Sequence, residues 1–198
     1  MTPDDVWTYW LGPLDEHGDA DAEHTGRWWK KDPAFDAELR ERFGALHAEI
    51  DGGAREAWRD DPRGLVAYVI VQDQLSRNMF RGTARMFASD PRALAAAKAG
   101  IAAGLHLSLP YAAASFLLMP TMHSESLADQ EACVALFTAL AEAAPAHLRA
   151  RRGQHVVYAE KHRAIVARFG RFPHRNALLG RASTPEELEF LSQPGSSF

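Results

Sequence analysis

Four times in its first half the chain sets a capping side chain directly before a proline: Thr2-Pro3, Asp32-Pro33, Asp61-Pro62 and Asp90-Pro91. Proline fits the first turn of a helix, where its missing N–H leaves no bond unmade, and a Thr or Asp before it offers an oxygen to the orphan amides. Each pair marks a helix start. The residues that follow are apolar at every third or fourth position, and strict alternation is scarce, so strands are not expected. The sequence is read as all-α, a compact multi-helix antiparallel array forming one domain over residues 1–198, with a flexible tail at 192–198.

The remaining punctuation divides that array. Gly12-Pro13 ends the first helix, and the acidic "LDEHGDADAEHTG" is expected to be a surface loop that could also cover a pocket. "DPAFDAELRERFGALHAEIDGG" and "RGLVAYVIVQDQLSRNMFRG" are helices, "TARMFA" is a short helical candidate, and Pro110 separates two buried helices. "SLADQEACVALFTALAEAA", "QHVVYAEKHRAIVARFG" and "STPEELEFL" complete the set, the last capped by Ser183 or Thr184. No residue period repeats along the chain.

One cysteine among 198 residues excludes an internal disulfide, and a reduced, cytoplasmic setting is expected. The apolar run before Pro120 is broken by His106, Ser108, Pro110 and Ser115, so no membrane partner is expected. The net charge of −4 is uneven: residues 1–61 hold 16 acids against 7 Lys and Arg, whereas residues 147–181 hold 9 bases against one acid. That asymmetry can steer an anion, but no long cationic tract accompanies it, and nucleic acid is not expected as a partner.

Polar residues fall on stripes that should face inward. Val66, Ile70, Asp73, Arg77 and Phe80 share one face, so Asp73 and Arg77 can pair across a turn, either as a buried salt bridge or with Arg77 turned to an anionic ligand. Gln130 lies between Leu127 and Val134, and its amide can cap the nearby elbow or hold a ligand. Tyr158 and His162 share a stripe with Ile165, where a histidine is either a satisfied core residue or a proton-transfer group. At "TMHSES" His123, Ser124 and Glu125 precede a helix start whose amides suit a helix cap, a phosphate or a carboxylate.

The stretch "RFGRFPHRN" concentrates donors in a bend. Gly170 ends the preceding helix, Pro173 keeps Phe172 extended, and Arg171, His174, Arg175 and Asn176 are left in a short connection. They can clamp the fold or bind an anion. Phosphate-loop, zinc-helix and nucleophile-elbow motifs are all missing, and no compact ligand set indicates a metal or cofactor.

At "QDQLSRNMFRGTARMFASDP", "LPYAAASFLLMPTMHSESLADQ" and "YAEKHRAIVARFGRFPHRNALLGRASTPEELEFL" the chain resembles the bacterial family known as domain of unknown function 924, from "VWTYWLG" to the last helix. The matching positions include Asp73, Arg77, Asn78, Arg81, His123, Ser124, Glu125, Gln130, His162, Arg171, Pro173, His174, Arg175 and Asn176, while Ser76 departs from the pattern. The resemblance implies a helical, tetratricopeptide-like fold and supplies no reaction.

The residues together suggest a polar cleft for a small anionic molecule or, alternatively, an acidic peptide. Arg77, Asn78, Arg81, His123, Ser124, Gln130, Tyr158, Arg171, Arg175 and Asn176 are its candidate binding groups. A metal-independent acid/base enzyme is the other reading, with His162 or His174 moving a proton and Glu125 or Asp73 tuning it.

Overall fold

The computed structural model describes residues 1–197, which group into two compact units: Met1–Arg81 with Arg85–Thr121, and Gly82–Ala84 with Met122 onward. All regular elements among the described residues are helical, apart from one isolated antiparallel bridge between Leu14 and Ala20.

The first unit runs α1 (Pro3–Leu11), α2 (Ala22–Trp28), α3 (Pro33–Asp51), α4 (Pro62–Val69), α5 (Ser76–Met79), α6 (Asp90–Ala102) and most of α7 (Tyr111–His123). Three of the four cap-proline pairs work through the side chain expected. Thr2 forms a reciprocal box with Asp5, Asp32 accepts from the amides of Ala34 and Phe35, and Asp61 accepts from Gly64. At the fourth, Ser89 is the cap and Asp90 turns elsewhere. Helix α2 occupies part of the stretch expected to be a loop. Asp21 caps it by accepting the His24 amide, a local bond strong enough to start a turn in a polar segment.

Helix α4 is buried on every face: Leu65, Val66, Ala67, Tyr68 and Val69 are all nearly inaccessible, as a helix in the middle of a unit must be. It continues without a break through a π-helical turn, Ile70–Leu75, into α5. A Cβ on Gly64 would overlap the Trp58 carbonyl, and one on Gly100 of α6 would lie 2.5 Å from Leu65, so both glycines permit close approach to this central helix.

The second unit holds α8 (Leu127–Glu142), α9 (Ala146–Phe169) and α10 (Pro185–Leu191), with α8 and α9 paired along their lengths. Gly170 closes α9 in the left-handed conformation at φ 66°, and Thr184 forms the capping box with Glu187. Ile165, Val166 and Phe172 pack together under Phe169 and Phe190. In the segment expected to be a tail, Ser196 is buried and donates to the Leu191 carbonyl, and Phe198 lies outside the described residues. No helix among the described residues is long and apolar enough to cross a membrane. The α-helices among the described residues run from 4 to 24 residues.

Candidate functional site

The predicted residues fall into two clusters, one in each unit. In the first, the π-helical turn places three consecutive polar side chains, Gln72, Asp73 and Gln74, in the interior. Gln74 donates to Asp73 Oδ2 at 2.6 Å. Arg77 lies 3.5 Å from Asp73 Oδ1 and donates to its carbonyl, but its fork faces Asp90, at 2.7 and 3.1 Å. Burial works against the Arg77 charge, and the two carboxylates more than offset it, so its pKa is held above the ordinary value. The expected one-turn pairing thus exists as the weaker of two contacts, because a widened turn changes the i,i+4 geometry on which it was based.

Asn78 and Arg81 converge on Asp36 of α3. Asn78 donates to Oδ1 at 3.1 Å, and Arg81 approaches both oxygens at 2.6 and 3.0 Å. A second buried cluster lies nearby in sequence: His47 Nε2 is 2.6 Å from Ser76 Oγ and 3.2 Å from Ser89 Oγ, and Ser89 donates to Asp51. Burial lowers the His47 pKa, with Asp51 opposing. Ser76 and Ser89 are both buried, so the short Ser–His contact has no open face for a substrate. Sequence reasoning missed Asp36, Asp90 and His47 as partners, since each lies 13 or more residues from the group it meets.

In the second unit the elbow and the bend meet. Arg181 grips Glu125 with two nitrogens at 2.6 and 2.9 Å, and Glu125 also accepts the Phe172 amide at 2.7 Å. Burial raises the Glu125 pKa, but these donors prevail and hold it below the usual range. Arg175 donates to the His123 carbonyl at 2.9 Å, with its guanidinium 4.6 Å from the Phe172 ring centre. Gln130 donates to the carbonyls of Met122 and Ser124 at 2.6 and 2.7 Å, fastening the end of α7. Ser124 donates to Asp129 and accepts the Ser126 amide.

Arg171 and Asn176 both turn to Glu187. Arg171 supplies 2.6 and 2.7 Å bonds and Asn176 a 3.3 Å bond, so the Glu187 carboxyl is pulled down to about 2, chiefly by Arg171. Glu187 and Arg181 were not among the predicted residues; the capping-box signal at Thr184 marks the first, and no local signal marks the second.

His162 sits among basic groups. Its ring lies 6.3 Å from His123 and 5.7 Å from Phe172, which is itself 5.6 Å from His174. Its Nδ1 is 2.8 Å from the Tyr158 carbonyl, an atom that only accepts, so Nδ1 carries the proton and Nε2 the lone pair. Burial, followed by His123, His174 and Arg175, drives its pKa down to about 3 against the contrary pull of that carbonyl. The Tyr158 side chain is half exposed on α9.

Among the described residues no three His, Cys, Asp or Glu side chains are placed to hold a metal ion. A recess of about 500 Å³ in the first unit, bounded by Glu56, Arg59, Asp60, Leu65, Gly100 and Leu105, contains none of the predicted residues.

A family model described as a bacterial protein of unknown function, DUF924, matches residues 6–195. A solved structure of a protein of unknown function from Agrobacterium tumefaciens is 32% identical, with a TM-score of 0.80 over 96% of each chain. No curated protein matches.

Proposed function

The chain belongs to the bacterial family DUF924, and because that family carries no assigned reaction, we propose from the residues themselves that it binds a small phosphate- or carboxylate-bearing anion at the elbow of the second unit. His123, His162, His174 and Arg175 form the binding cluster. The supporting observation is the gathering of basic groups around one buried ring pair: His162 lies 6.3 Å from His123 and 5.7 Å from Phe172, which His174 approaches to 5.6 Å and the Arg175 guanidinium to 4.6 Å, and burial together with these neighbours holds the His162 pKa down. An anion beside Arg175 offsets part of what keeps His162 neutral and lets its Nε2 take up a proton and donate. Arg77, Asn78, Arg81, Arg171 and Asn176 act in this reading as clamps, since their donors meet Asp90, Asp36 and Glu187 within their own units.

Binding is favoured over turnover because a general acid must hold a proton near working pH and a general base must take one up there, and a histidine whose pKa lies at about 3 does neither well. The enzyme reading is left with His174, because Glu125 is engaged by Arg181.

The test is thermal denaturation at pH 7 with inorganic phosphate or malonate, against sodium chloride of equal ionic strength. An anion at 100 times its Kd should stabilise by about 2.7 kcal/mol, and Arg175→Gln and His174→Gln should each weaken the effect. Equal melting temperatures in all three salts would remove the proposal. A second reading, an acidic-peptide groove on a tetratricopeptide-like, cytoplasmic scaffold, draws on the exposed Val157 and Tyr158 of α9, with Lys161 5.1 Å above the Tyr158 ring. It predicts that an Asp/Glu-rich peptide broadens NMR signals along that face.

A further inference from the structure

The recess of about 500 Å³ in the first unit lies between the 3-10 turn Glu56–Asp60 and helix α6. Small-molecule sites run from about 300 to 1,000 Å³, so its size suits such a ligand. Its floor reaches the interior: Leu65, 2% exposed in the central helix, and Gly100, buried on α6, both line it. Ala99 and Ala103, one turn apart on α6, line it as well and are exposed, so this side of the recess is open to solvent. Leu105, just past the left-handed Gly104, adds to the apolar lining.

The rim carries both signs of charge. Arg59 and Asp60 are consecutive, with Cα atoms about 3.8 Å apart, and both border the recess. They do not pair with each other. Arg59 gives Nη1 to Glu56 Oε2 at 2.7 Å, one turn back, and Glu56 is further held by the Tyr68 hydroxyl at 3.0 Å and by Arg92 at 3.5 Å. The other donors of the Arg59 fork are left for solvent or a ligand. Asp60 accepts no hydrogen bond and joins no ion pair among the described residues. Two guanidiniums share the Glu56 carboxylate while Asp60 stands alone, which leaves a positive and a negative position side by side at the edge of an apolar floor.

We propose that the recess binds a free α-amino acid with an apolar side chain, its ammonium on Asp60, its carboxylate on the open side of the Arg59 fork and its side chain over Leu65 and Gly100. An α-amino acid sets opposite charges on one carbon, the arrangement that the rim presents, and its apolar branch removes the alanine and leucine surface of the floor from water. A plain anion would meet Asp60, and a plain cation would meet Arg59, so a zwitterion is the class that satisfies both. The recess lies wholly in the first unit and does not depend on the anion-binding elbow.

The experiment is an NMR titration of the full ¹⁵N-labelled chain at pH 7, read at the backbone amides of residues 99–105 and at Arg59 Nε–H, with L-leucine, 3-methylbutylamine and 4-methylpentanoate as probes. The probes share one branched apolar body and carry both charges, the ammonium alone or the carboxylate alone. Leucine should shift these signals and bind about fivefold more tightly than either analogue, the value of one partly exposed ion pair. Asp60→Asn should bring leucine level with 4-methylpentanoate. Ala103→Phe, which fills the floor from an exposed position, should abolish the shifts with the circular dichroism spectrum unchanged. If Ala103→Phe does not fold, Asp60→Asn carries the test by itself. The proposal is overturned by the lack of any shift at about 10 mM leucine, weaker than any useful affinity, by equal affinity for the three probes, or by leucine shifts that survive in a folded Ala103→Phe.

Discussion

Replacing His162 with glutamine should flatten the acid sensitivity of the protein. Glutamine retains a donor for the Tyr158 carbonyl but cannot titrate. Above pH 6.5 the histidine is neutral in both folded and unfolded chains and contributes no pH dependence. Below it the unfolded chain takes up a proton that the folded state refuses until about pH 3, so stability falls as pH falls through that window. At pH 5 the loss is about 2 kcal/mol, rising to about 5 kcal/mol by pH 3, at 1.36 kcal/mol per unit. Urea denaturation followed by circular dichroism, at pH 7 and pH 5 on both proteins, isolates His162 as the difference between two differences. The wild type should lose about 2 kcal/mol more than His162→Gln between those pH values. Parallel losses, within about 0.5 kcal/mol, would show that the ring is not held neutral and would remove the electrostatic support for the anion site.

Glu187→Gln breaks the bidentate pair with Arg171 and should lower the urea midpoint of unfolding. Because the Glu187 pKa is depressed to about 2, its contribution is present above the ordinary carboxylate range and fades as pH falls toward 2, so the wild type and the variant should converge in acid. Asp90→Asn leaves the buried Arg77 fork facing a neutral amide and should lower stability by about 3 kcal/mol, measured as a shift in urea midpoint. Gln72 is fully buried with both amide atoms meeting no protein partner, so Gln72→Met should raise the melting temperature, by an amount equivalent to about 1–3 kcal/mol. A lower melting temperature would mean that the amide is satisfied after all.

Features set by neighbours in sequence are legible in the sequence alone. The Thr2, Asp32 and Asp61 caps, the Gly170 stop and the Thr184 box each need only three or four residues to specify them. Gln130 was suspect because it interrupts an apolar face, and it is found tying down two carbonyls at the elbow. Long-range choices were not legible. The partner of Arg77 lies 13 residues away, that of Arg81 45 and that of Arg181 56, and no local pattern selects one carboxylate among the 26 acidic residues of the chain. Helix α2 was missed because its sequence is polar and short, so the apolar period that identifies helices is lacking, and contacts through Trp28 hold it in place. The π-helical turn has no sequence signature comparable to a cap.

That turn has a consequence for the evolution of the chain. Each residue of a regular helix advances the next by about 100°, and a widened turn accommodates one residue more than the regular winding. Deleting a single residue between Ile70 and Leu75 would restore regular winding and, because the turn has already absorbed the extra residue, would leave the helix beyond it in phase. Arg77, Asn78 and Arg81 would still aim at Asp90 and Asp36, whereas deleting Ser76, beyond the turn, would swing them away by about 100°. Length in this helix should consequently be more negotiable within the turn than after it.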